Sequence, residues 1–178
     1  MQQEEDRFFR KAALLICADL EIEKAMSSLL QFLRQVMPAD KMFLEYYDPG
    51  FSAMRTIAKA TPTESTRLDL LTPLSEQARK TIRDTGRYTT ARLLIHNDPF
   101  ADPIGREMLR FHGVEARAYI LMPLLFKRRP LGNVVLISEG KEGYTDEQGR
   151  LFGLLREPFA VALRNALAHR ELQKLKSL

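Results

Sequence analysis

Residues 118–140 constrain the fold more than any other stretch: Ala118-Tyr-Ile-Leu-Met-Pro-Leu-Leu-Phe-Lys-Arg-Arg-Pro-Leu-Gly-Asn-Val-Val-Leu-Ile-Ser-Glu-Gly140. Two apolar runs of strand length flank a basic, Pro-bearing turn. Val134, Val135 and Ile137 are β-branched, so the pattern predicts a β-hairpin with a buried second strand. Pro123 sits inside the first run. It has no N–H to give to a ladder, so that position must lie at an edge, a bulge or a strand end. Gly132, just inside the second run, permits a bulge or a close backbone approach.

The hairpin needs covering, and the flanking sequence supplies helices. Residues 5–18 place Phe9, Ala12, Ala13, Ile16 and Cys17 at helical spacing. After Asp19, a second helix carries Ile22, Met26, Leu29, Leu30, Leu33 and Val36 on one face, and Pro38 stops it. Lys41–Asp48 and Ala53–Ala60 read as two strands joined at Asp48-Pro49-Gly50. The Thr/Pro-rich residues 61–73 read as loop. Leu74–Thr85 is helical, with Gly86 as its stop. Tyr88–Thr90 begins a short strand, and His96–Asp102 is a loop. Asp102 then caps a short helix that opens on Pro103 and ends at Gly113. Tyr144-Thr-Asp-Glu147 starts a final helix with Leu151, Leu154, Leu155, Phe159, Ala162, Leu163, Ala166 and Leu167 on one face, which Pro158 should bend or interrupt. This order predicts an α+β fold: an antiparallel sheet of five to six strands, terminal helices on one face, short helices and loops over the other.

Composition narrows the function classes. At 178 residues, 45% hydrophobic and 28% charged, the chain suits one globular domain with a sizeable core. No apolar run reaches the roughly 18–20 residues of a membrane span, and the polar, acidic start is no signal peptide. Cys17 is the lone cysteine, so an internal disulfide is excluded and a reducing cytoplasm is expected. The formal charge of +4 is scattered, with Lys127-Arg128-Arg129 its one cluster, so no direct nucleic-acid contact is expected.

Ile120-Leu-Met-Pro-Leu124, Leu131-Gly-Asn-Val-Val-Leu136, Tyr144-Thr-Asp-Glu147 and Ala160-Val-Ala-Leu-Arg-Asn-Ala166 together resemble a GAF domain across roughly residues 20–170. Asn165–Leu178 is similar to the exit helix of N-terminal GAF sensors in bacterial sigma-54-dependent transcription activators. The resemblance implies a sensor rather than a catalyst: an N-terminal helix (1–20), a sensor core (21–168) and an exit helix (169–178). That helix would signal to an ATPase and DNA-binding output beyond this chain, which makes a fragment the favoured expectation and a stand-alone GAF protein the alternative. The resemblance also implies an unidentified small-molecule effector, and the apolar stripe Leu163, Leu167, Leu172, Leu175 and Leu178 of the last helix predicts a homodimer formed through the terminal helices. The cysteines of sulfoxide-reducing GAF domains, the Asn-Lys-x-Phe-Asp-Glu pattern of cyclic-nucleotide ones and the pocket cysteine of bilin-binding ones are missing.

Two groups of residues are candidate ligand contacts. His96, Asp98 and Asp102 occupy the richest polar loop, where the resemblance puts a lid, and His112 ends the next helix. Alternatively, Asp98 and Asp102 are turn and cap residues, and a protonated His112 interacts with the helix dipole. Phe43, Glu45 and Tyr47 share one strand face, and alternation alone does not say whether that face is a cavity or solvent. Cys17 reads as a small buried apolar residue. The ligand types at 96, 98, 102 and 112 are acceptable for a metal, but no metal is assigned and the cofactor is left open. No Ser-His-Asp order, paired carboxylates or Gly-x-x-x-x-Gly-Lys-[Ser/Thr] loop points to an enzyme. The competing readings are a dimerisation module with an empty pocket and a small enzyme using the His96/Asp98 loop.

Overall fold

A computed structural model describes residues 2–178. The elements run α1 (Gln2–Cys17), α2 (Ile22–Leu33), β1 (Lys41–Asp48), β2 (Ala53–Ala60), β3 (Ser65–Pro73), α3 (Glu76–Thr85), β4 (Leu94–His96), a single 3-10 turn (Pro99–Ala101), α4 (Pro103–His112), β5 (Ala118–Phe126), β6 (Arg129–Ser138), α5 (Asp146–Gly153) and α6 (Arg156–Lys176). Six strands form one antiparallel sheet in the order β3-β2-β1-β6-β5-β4. The α+β architecture expected from the sequence is the one observed. No described helix is long and apolar enough to cross a membrane.

The expected hairpin is β5–β6. Its turn is Lys127-Arg128, both at positive φ (49° and 66°), the two-residue geometry whose twist matches that of the strands. Pro123 is paired with Asn133. Its outer side is free because β4 reaches only Tyr119–Leu121, and the Pro123 carbonyl instead accepts a bond from Arg156 Nε at 3.2 Å. A proline inside a central run is therefore tolerated where its neighbour strand has ended.

The sheet separates two cores. On one face α1, α2, α5 and α6 pack Ile16, Leu29, Leu30, Phe152 and Phe159 against Met42, Leu44, Ile120, Met122, Val134 and Leu136. On the other, α3 and α4 lay Ala78, Ile82, Ile104, Met108 and Leu109 over Phe43, Met54, Tyr119, Leu121, Val135 and Ile137. At Ile57, β2 bulges: Leu44 pairs with Ala58 but Glu45 with Thr56. The extra residue changes which face the strand presents. Met54 and Thr56 look toward α4, while Ile57, Ala58 and Ala60 belong to the core of the terminal helices.

Four local expectations are corrected. Residues 61–73 are not a loop, because Ser65–Pro73 pairs along β2. As an edge strand it is solvated on both faces and lacks the alternation that marks a half-buried one. Tyr88–Thr90 is a turn, and the short strand is Leu94–His96. The α1 core face is Phe8, Ala12 and Ile16; Phe9 and Cys17 are exposed. The single final helix is two, and the interruption expected from Pro158 falls at Leu154–Leu155, since a proline cannot donate the N–H that a continuous helix would place on the Leu154 carbonyl. In the first turn of α6, Pro158 has no such bond to lose.

Candidate ligand-binding site

The α3/α4 face encloses a narrow, mainly apolar cavity with about 40 Å³ of free space. Phe43, Ile104, Met108, Leu109, Val135 and Ile137 supply the apolar wall. Its floor is polar. Glu45 on β1 is the direct cross-strand partner of Thr56 on β2 and of Asn133 on β6, so these three side chains share one rung and one face. Glu45 is 5% exposed and has no charged or hydrogen-bonding protein partner; burial alone pushes its carboxyl up to about 7. Thr56 Oγ1 lies 3.2 Å from His112 Nε2. The His112 ring packs on Phe43 at 4.8 Å, and burial, then Lys59, lower its pKa.

The cover is built from the turn after α3 and the start of α4. Gly86 closes α3 in the left-handed conformation, at φ 60°, which turns Arg87 and Tyr88 inward. Asp102 caps α4 through the Gly105 N–H at 2.8 Å. The same carboxylate takes two bonds from the Arg87 guanidinium, at 2.8 and 2.7 Å, and one from the Tyr119 hydroxyl at 3.0 Å. Burial works against both charges of this pair. Their mutual bonding outweighs it, so Arg87 is raised and Asp102 lowered. A Cβ on Gly105 would fall 2.6 Å from the Tyr119 hydroxyl, so only glycine leaves room for this closure.

Tyr88 is 6% exposed, and its hydroxyl has no hydrogen-bond partner. Arg87 Nε is also unpartnered, and the guanidinium lies near enough to Tyr88 for its charge to act on the phenol. Burial and then the Glu45 charge raise the Tyr88 phenol. On its outer side Tyr88 stacks on Tyr47 at 6.0 Å and helps to line an open groove of about 540 Å³ with Ile82, Leu131 and Asn133. Tyr88 is thus the partition between a small inner cavity and a larger outer groove.

The structure sorts the sequence candidates. Phe43, Glu45 and His112 line the cavity. Tyr47 lines the outer groove. His96 packs on Tyr119 at 4.8 Å with Nε2 buried and unpartnered, and burial lowers its pKa. Asp102 is committed to Arg87, Tyr119 and the α4 cap, so it is a structural hub and not a free contact. Asp98 is exposed and does not face the cavity. No residue of the 96–102 loop lines the cavity; Arg87, Tyr88 and α4 cover it. His112 does not meet the helix dipole as a cation, since its ring faces the sheet and its pKa is lowered. Among the described residues no group of three or more His, Cys, Asp or Glu could hold a metal ion. Cys17 is exposed on α1, across the sheet from the cavity.

Sequence reasoning missed Arg87, Tyr88, Thr56, Asn133 and Tyr119. Asn133 carried a signal, since it is a lone amide at the inward register of Val135 and Ile137. Arg87 and Tyr88 carried none, because a turn residue turned inward looks like any other.

No family model matches the chain, and no curated protein does. Solved structures do match. The GAF domain of Acinetobacter phosphoenolpyruvate-protein phosphotransferase superimposes with a TM-score of 0.60 at 10% identity, over 94% of this chain and 98% of that one. A phycocyanobilin-bound GAF domain from a cyanobacterial phytochrome gives 0.58 at 16% identity, over 94% and 96%. The chain has the GAF fold. The PixJ GAF domain of Thermosynechococcus elongatus, in its blue-light-absorbing form, gives 0.56 at 15% identity over 96% and 94%. Likeness at this identity extends to the GAF architecture and not to the ligand.

Proposed function

We propose that this GAF-fold chain is a small-molecule sensor that acts by binding and not by turnover. One observation carries the reading: a buried carboxylate, Glu45, faces an apolar cavity with no protein partner. A buried ionisable group without a partner is costly, and functional sites are where such groups are retained. The outgoing signal runs through the terminal helices. Arg156, at the start of α6, holds the Pro123 carbonyl, and Arg170 near its end pairs with Glu23 at 3.3 Å and reaches the Ile57 carbonyl at 3.4 Å. Pro123 and Ile57's neighbour Thr56 flank Glu45 and Asn133 on the same rung of the sheet. The similarity of Asn165–Leu178 to the exit helix of sigma-54-dependent regulators makes a bacterial transcription regulator the output we favour.

The enzyme alternative has less behind it, because Asp98 is exposed while the Nε2 of His96 is buried. A second reading, a dimerisation module with an unused pocket, is favoured by the small free volume and by the exposed leucines of α6. Native mass spectrometry of protein purified from its own host separates the two. A co-purifying small molecule, lost when Glu45 is replaced by Leu, supports the sensor. An unliganded protein whose melting temperature no metabolite library moves rejects it.

A further inference from the structure

We infer that the cavity receives the ammonium head of a small organic amine, and that Tyr88 is the door behind which its apolar body reaches the outer groove. This rests on the sensor reading and narrows it to a chemical class. Two oxygen groups without a protein partner line the inner space, the Glu45 carboxylate and the Tyr88 hydroxyl, and Asn133 lies on the wall of the outer groove beside them. An alkylammonium has three N–H donors, the complement of such a set. The Arg87 guanidinium at the rim has its charge paired, through two nitrogens, with the Asp102 carboxylate and keeps only its Nε–H unbonded. Glu45 therefore lacks a cation that the protein does not supply. A carboxylate ligand would meet Glu45 as a like charge, and burying that pair unpaired is unfavourable.

Size argues for the two-part occupant. The inner space of about 40 Å³ holds a head group or one or two waters, not a whole metabolite. The outer groove of about 540 Å³ is walled by Tyr47, Tyr88, Ile82 and Leu131, which suits an aliphatic or aromatic body. What separates them is one ring. Tyr88 belongs to a segment between α3 and β4 with no helix or strand, its hydroxyl holds no bond among the described residues, and on the outer side its ring stacks on Tyr47.

The test is calorimetry and thermal melting of the chain with methylamine, isoamylamine and benzylamine, against isoamyl alcohol, benzyl alcohol and benzoate. The amines should raise the melting temperature and the alcohols and benzoate should not. Glu45→Gln keeps the shape and should raise the Kd for benzylamine by about tenfold or more. Tyr88→Ala merges the two spaces and should speed benzylamine association, whereas Tyr88→Phe, which keeps the ring, should not. An unchanged Kd in Glu45→Gln overturns the assignment. So does protection by benzoate or the alcohols in place of the amines, which leaves the sensor reading intact. If no compound protects and native mass spectrometry finds no co-purified molecule, both readings fall together.

Discussion

A Cβ placed on Gly132 would lie 2.9 Å from the carbonyl oxygen of Glu45. β6 therefore approaches β1 more closely here than a side chain allows, one residue before Asn133 takes its place opposite Glu45. The obstruction is backbone, which yields less readily than a side chain. Gly132→Val should destabilise the fold by roughly 1–3 kcal/mol, and Gly132→Ala by less. Equilibrium urea unfolding measures this. An unchanged midpoint for the valine variant would mean that the strands separate without cost.

Glu45 predicts a pH dependence with a definite sign. Its carboxyl is raised by burial to about 7 from an ordinary 4.5. Between those values the unfolded chain has released the proton and the folded chain retains it. Stability from this group is thus full below about 4.5, declines as pH rises to about 7 and is then flat, a loss of roughly 3 kcal/mol. The imidazoles of His96 and His112, lowered by burial, work in the opposite sense below their ordinary pKa. Arg87, Tyr88 and His112 face the same space from the cover. The difference between wild type and Glu45→Gln isolates the carboxyl. The variant should gain on wild type from pH 5 to pH 8, and parallel unfolding curves at both pH values would refute the buried, unpaired state.

Asp102→Ala should be among the most damaging single changes. It leaves the Arg87 guanidinium buried and unpaired and removes the α4 cap together with the acceptor of Tyr119. A loss of about 3–5 kcal/mol is expected. Adding Arg87→Met to it should restore part of that loss. A double variant no more stable than Asp102→Ala would show that the cap, not the charge, dominates. Denaturant midpoints of the three proteins decide it.

The terminal helices predict self-association. Leu172 and Leu175 on α6 are 58% and 59% exposed, and Leu14 on α1 is 67% exposed beside Phe9 and Cys17. Surfaces of this kind are usually covered by a partner, here a second copy packed in coiled-coil fashion. Sedimentation should show a dimer that weakens when residues 169–178 are deleted. A monomer at high micromolar concentration removes the proposal.

What the sequence disclosed follows from which physics is periodic. The β5–β6 run, the Asp102-Pro103 helix start and the Gly86 and Gly113 stops repeat local rules and could be read directly. β3 could not, because an edge strand wet on both faces has no pattern to show. The Phe43-Glu45-Tyr47 face was legible as a face, but its burial depends on α4 arriving from 60 residues downstream. The 96–102 loop misled because polarity marks turns and caps as readily as ligand sites. Asp102 was visible as a cap, whereas its partner Arg87 was set by a tertiary fold that no spacing encodes.

The bond between Arg156 and the Pro123 carbonyl has a mechanical side. α6 has 21 residues counted from that point of attachment, and at 1.5 Å per residue it is about 30 Å long. A tilt of about 5° at Arg156 therefore sweeps its far end through roughly 3 Å, the width of a hydrogen bond. Near residue 170 the tie to Glu23 and Ile57 resists that sweep. A sub-ångström change in the sheet thus has the leverage, at the far end of α6, to make or break a contact.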